Sequence, residues 1–133
     1  MRRYIFVSLM SGILFGVLDG IINGNPLARE LFEVYEPISK TSINIPAGML
    51  IDIIYGFIIA GIFLLLYKSL PGSTGLKKGI SFALIIWFFR VVMYALAQWM
   101  TINVPVYTLV YIVLTGLVEM LLLGILYGIT LRP

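Results

Sequence analysis

Four long apolar runs constrain this chain more than anything else in its sequence. They extend from about Tyr4 to Ile22, Ile45 to Tyr67, Gly79 to Trp99 and Pro105 to Thr130. Crossing the hydrocarbon of a bilayer takes a helix of roughly 20 apolar residues. Backbone amides in lipid must find partners within their own segment, so each run is expected to be helical. With 61% hydrophobic and only 11% charged residues, and a mean hydropathy of +1.08, a soluble core of 133 residues cannot hide this much apolar surface. The expected fold class is all-α integral membrane, a single domain over 1–133 built as a four-transmembrane-helix bundle of two hairpins.

The connectors carry the breakers: "NGNPLARELFEVYEPISKTSIN", "SLPGSTGLKK" and the very short "TINVP". Arg2, Arg3, Lys68, Lys77, Lys78 and Arg132 fall on one side of the spans. Arg29 and Lys40, set among Glu30, Glu33 and Glu36, fall on the other. The lysine and arginine bias of short loops predicts a multi-pass cell-membrane protein with both termini cytoplasmic. Tyr4, Tyr67 and Tyr127 near the inner surface, and Tyr35, Trp99 and Tyr107 near the outer, agree with that orientation. "MRR" followed by an apolar run has the look of a secretory signal. The run is long, however, holds Asp19 and Gly20, and lacks a nearby small-x-small cleavage site, so an uncleaved first span is expected.

In the outer loop, Asn25-Pro26 reads as an N-cap and N1 proline opening a short amphipathic helix, "PLARELFEVY". Leu27, Leu31, Val34 and Tyr35 would form its apolar side, closing the bundle or gating a cavity. "SINIP" (42–46) matches "TINVP" (101–105), and "GILF" (12–15) matches "GISF" (79–82). A parallel duplication of one hairpin would explain these pairs, and so would coincidence between apolar segments.

The chain has no cysteine, which excludes disulfides, thiol redox chemistry and Cys-ligated zinc or iron–sulfur centres. It has no histidine, the usual metal ligand and neutral-pH general base. HExxH, Ser–His and G-x-S-x-G patterns are absent, as are phosphate-binding glycine loops and nucleic-acid-binding surfaces. No catalytic residue, metal or cofactor is expected, and the reading leans away from an enzyme. Size and helix count resemble those of small multidrug transporters, fluoride channels and thiol-oxidising quinone reductases. The signature motifs of the first two occur in no span and the cysteines of the third are missing, so the resemblance assigns no family.

The remaining chemistry lies in Asp19, Asp52, Arg90 and Glu119. Each costs at least about 2.5–3.5 kcal/mol at the centre of a spanning helix, so a partner or a wet cavity is expected. Counting inward at about 1.5 Å per residue, Arg90 lies roughly 18 Å and Glu119 roughly 24 Å from the short outer loop. The near-linkerless hairpin predicts an Arg90–Glu119 pair, with Asp52 as the rival partner. Tyr94 and Gln98, at i+4 and i+8 from Arg90, and Tyr111 and Thr115, at i−8 and i−4 from Glu119, would continue a polar stripe outward. Asp19 and Asp52 enter from the same side at roughly 6 and 10 Å.

Ser8, Gly12, Gly16 and Gly20 form a small-xxx-small ribbon for close helix packing, within the chain or against a second protomer. Two readings follow. One is a transporter, channel or ligand-binding protein with an outward-facing cleft around Arg90 and Glu119. The other is a non-catalytic accessory or assembly subunit whose charges lock helices together. Beyond the lipid bilayer, the expected partner is a second copy or a larger membrane complex, with no nucleic acid.

Overall fold

A computed structural model describes residues 1–40 and 42–131; Arg132, counted above among the cations, lies outside the described residues. Among the described residues, four helices are long and apolar enough to cross a membrane: Arg2–Gly24, Ile45–Ser69, Gly75–Thr101 and Val106–Thr130. The all-helical architecture is that of a membrane helical bundle. We refer to the end carrying residues 25–44 and 102–105 as the loop end, and to the opposite end as the terminal end.

The first span is α1 (Arg2–Gly24). It stops at Asn25, which is extended (φ −87°, ψ 160°) because the following proline disfavours the helical conformation in the residue before it. Asn25 then caps α2 (Pro26–Leu31): its Oδ1 accepts from Ala28 N at 2.8 Å. The single ten-residue amphipathic helix expected here is instead two short pieces, α2 and a 3-10 turn over Glu33–Ile38 that contains Pro37. Its inward face also differs from expectation. Ala28 is fully buried and Leu31, Phe32 and Tyr35 are partly buried, whereas Leu27 and Val34 are 54% and 37% exposed. The small Ala28 lets α2 lie close against the last span, where Thr108 Oγ1 donates to Leu31 O at 2.7 Å.

The second span, α3 (Ile45–Leu66), is capped by Asn44 and ends in a 3-10 turn over Tyr67–Ser69. Lys78 closes that end: its Nζ donates to Tyr67 O (2.7 Å) and Leu70 O (3.1 Å). The third span is α4 (Gly75–Trp87), a π-helical turn over Phe88–Val92, and α5 (Met93–Thr101). The fourth is α6 (Val106–Thr130).

Packing follows the small residues. α1 lies on α3 and α4 lies on α6, with α1 and α6 joining the two hairpins. A Cβ on Gly56 would stand 2.6 Å from both Gly12 N and Ser8 O, so these helices touch backbone to backbone. In the other hairpin a Cβ on Gly79 would run into Gly124 O. Gly12 is mid-helix, while Gly79 lies near the start of α4, so the two close crossings sit at different depths and do not repeat one another. Of the ribbon on α1, Ser8 and Gly12 contact α3, Gly16 accommodates the Asp52 side chain, and Gly20 has open space beside it.

The core fills the terminal half. Phe63, Phe82 and Tyr127 pack edge-to-face or tilted at 5.3–6.3 Å between ring centres, with Met120 and Leu123 against them. All five are at most 1% exposed, which seals that half of the bundle. The loop half is looser, and that is where the polar residues meet.

Candidate functional site: a polar cleft at the loop end

Arg90 occupies the π-helical turn of the third span. A π turn widens the helix locally and re-aims its side chains, and such turns recur at functional positions. Trp87 Nε1, donating to Val113 O at 2.9 Å, and Val91, against the bare Gly116, hold this turn to α6. Arg90 therefore faces Glu119, with Nη1 and Oε1 3.4 Å apart; the same nitrogen lies 3.8 Å from Met120 Sδ. The Glu119 side chain is 3% exposed and that of Arg90 34%.

The guanidinium carbon lies 4.9 Å from the Phe15 ring centre and 5.2 Å from that of Tyr55, rings that are stacked on each other at 4.5 Å. This aromatic pair from α1 and α3 supplies the cation with polarisable surface where water is scarce. Asp19 lies within electrostatic reach of Glu119, and both border the same cavity. Asp52 stays within electrostatic reach of Arg90, Asp19 and Glu119, but its carboxylate nests against Gly16, where a Cβ would stand 2.9 Å from Oδ2. Among the described residues Arg90 and Glu119 form the only ion pair.

These groups border a cavity of about 320 Å³ at the loop end, walled by Asp19, Asn23, Phe32, Arg90, Tyr94, Thr115 and Glu119, among others. Asp52 is not in its wall. It lines a separate, mostly apolar groove of about 510 Å³ between α1 and α3, which shares Asp19 and Asn23 with the cavity. The expected polar stripe divides in two: Tyr94 and Thr115 reach the wall, while Tyr111 and Gln98 secure the roof.

Tyr111 Oη donates to Ile22 O (2.6 Å) and accepts from Asn25 Nδ2 (2.9 Å), and Thr115 donates to Tyr111 O at 2.7 Å. Gln98 accepts from Tyr35 Oη and donates to Tyr94 Oη. Burial, followed by the neighbouring Tyr94, pushes the Tyr35 phenol above its ordinary value, against the opposing hydrogen bond with Gln98.

Sequence reasoning anticipated Asn25 as the cap of α2 but not its bond to Tyr111, and it did not anticipate Phe15, Asn23 or Phe32 in this site. Asn25 had a local signal, its proline neighbour; for the aromatic residues, lipid-facing and site-facing positions look alike in a hydrophobic run. Three buried hydroxyl oxygens, Ser8 Oγ, Tyr55 Oη and Tyr127 Oη, also lack a hydrogen-bond partner of ordinary geometry among the described residues. Leaving a buried hydroxyl unsatisfied costs about 1–3 kcal/mol.

Comparison with known protein families, curated proteins and solved structures finds no match.

Proposed function

We propose that this chain is a small multi-pass protein of the cell membrane, with both termini cytoplasmic, that binds a small polar solute in its loop-end cleft as a transporter or channel would. The observation that carries this reading is the cavity of about 320 Å³ with Arg90, Glu119 and Asp19 in its wall, within the spanning part of the bundle. Ionisable groups at such depth are costly to keep and typically mark substrate or ion pathways. Arg90 is already paired with Glu119, so Asp19, in the same wall, biases the cleft towards cationic solutes. The packed aromatic core beneath it makes this arrangement open towards the loops and closed towards the termini.

The test is uptake of small amines and quaternary ammonium ions into proteoliposomes, alongside Arg90→Ala and Glu119→Gln variants that still insert. Loss of uptake in both variants supports the reading. Uptake equal to wild type in both overturns it.

A second reading, an accessory subunit docked to a second copy or a larger complex, is favoured by one observation. Gly20 has open space beside it and borders the apolar groove between α1 and α3. Its test is co-purification in mild detergent, compared with Gly20→Leu.

A further inference from the structure

The buried hydroxyls without partners are not scattered. On α1, Ser8, Ser11, Phe15 and Asp19 recur at helical spacing and share one face. On α6, Glu119, Leu123 and Tyr127 do the same. Ser8, Ser11 and Tyr127 are all 0% exposed, and Ser11 is the polar group facing the Tyr127 phenol. Tyr55, stacked on Phe15, lies within electrostatic reach of Arg90, Glu119 and Asp19 on one side and of Tyr127 on the other.

Counted along α1 from the loop end at about 1.5 Å per residue, Ser11 is about 20 Å and Ser8 about 24 Å deep, and the Tyr55 backbone stands level with them, next to the Gly56 whose Cβ would meet Ser8 O and Gly12 N at 2.6 Å. The Tyr127 backbone is deeper, at about 32 Å. A tyrosine on a helix leans back over the preceding turn, which brings its hydroxyl up towards the serines. Tyr4, also within electrostatic reach of the Tyr127 phenol, donates from Oη to Phe57 O at 2.7 Å, in the middle of α3. Hydroxyls thus run from the level of the carboxyl groups into the otherwise apolar half of the bundle. Ser11 already donates to Ser8 O at 2.9 Å, so its oxygen is left to accept.

We propose that the row Tyr55–Ser11–Ser8–Tyr127 holds internal water and carries protons between the Asp19–Glu119 carboxyl pair and the terminal end. Buried hydroxyls lacking protein partners are the groups that retain ordered water, and each can donate and accept in turn. A proton entering from the loop end is taken up by a carboxylate of Asp19 or Glu119. A proton leaves the row past Tyr127 towards the terminal end, and every hydroxyl ends with the proton count it began with. Arg90, paired with Glu119, stays charged throughout; Asp52 and Tyr55 are the other titratable groups facing the pair. The inference rests on the cleft reading for the point of proton entry, but it requires no particular solute.

The experiment uses the full chain in liposomes loaded with a pH-sensitive dye, under an imposed pH gradient with the membrane potential clamped by valinomycin and potassium. Wild type is expected to dissipate the gradient at least tenfold faster than Glu119→Gln, with Tyr127→Phe and Ser8→Ala/Ser11→Ala each slowed severalfold. Tyr127→Phe preserves the packed ring, so slowing in that variant reports the hydroxyl; circular dichroism and insertion controls accompany each variant. Wild-type flux no faster than empty liposomes overturns the path, and retained Glu119-dependent amine uptake in those liposomes would leave the cleft reading standing. Proton flux lost in Glu119→Gln but unchanged in Tyr127→Phe and in the double serine variant overturns the proposed row. Flux that depends on both the carboxyl pair and the hydroxyls, with no amine taken up, supports the row and removes the solute reading.

Discussion

Arg90 and Glu119 face each other across the third and fourth spans at 3.4 Å, one end of the pair partly open to the cleft and the other almost fully enclosed. Breaking a fully buried pair by removing one partner costs about 3–5 kcal/mol. Arg90 retains access to the cavity, which screens the interaction, so Arg90→Ala and Glu119→Gln should each lose about 1–3 kcal/mol. The Arg90→Met/Glu119→Leu double variant should recover most of that loss. Unfolding in mixed detergent micelles measures all three, and a double variant no better than the worse single one would contradict the expectation.

The glycines of α1 should behave differently from one another. A Cβ on Gly12 would stand 2.8 Å from Ile53 Cα, and one on Gly56 2.6 Å from Gly12 N, in both cases against backbone that has little room to yield. Gly12→Ala and Gly56→Ala should each destabilise the monomer by about 1–3 kcal/mol through overpacking. Gly20→Ala, with nothing within 4 Å, should stay within about 0.5 kcal/mol. Equal losses at Gly12 and Gly20 in thermal unfolding would show that this crossing is not where the helices meet.

Asn25 should hold the roof of the cleft. Its Oδ1 caps α2 and its Nδ2 donates to Tyr111 Oη. Asn25→Ala should cost about 1 kcal/mol. The effect should be local: hydrogen–deuterium exchange should quicken in residues 26–38 and leave the lower half of α6 protected. Uniform quickening throughout the chain would assign Asn25 a global role instead.

Alkaline pH should loosen the same roof. The folded state holds the Tyr35 phenol proton more tightly than the unfolded chain does, because of burial and then Tyr94. The Tyr35 contribution is therefore complete below the ordinary value near 10.0 and is lost as pH rises through the higher folded value. Exchange in the Glu33–Ile38 turn should quicken along that limb, and Tyr35→Phe should remove the dependence. Quickening that persists in Tyr35→Phe would place the titration elsewhere.

The sequence by itself determined that four helices form, nearly where they begin and end, and that Arg90 and Glu119 lie within reach of each other. Length, hydropathy and the breakers Asn25-Pro26 and Pro105 suffice for the first two. A linker too short to separate neighbouring helices suffices for the third. Only the tertiary structure decided which face of each helix turns inward, because a run that is apolar all round carries little rotational signal. Phe15 therefore emerges beside Arg90 without warning, Ala28 rather than Leu27 docks the loop, and Asp52 turns aside into its own groove against Gly16. The π turn around Arg90 likewise has no local sequence signature, since it arises where α4 and α6 must stay in contact on both sides of it. In a membrane bundle hydropathy sets depth, while helix rotation is set by small residues and buried polar contacts. Those contacts exist only once the helices have packed.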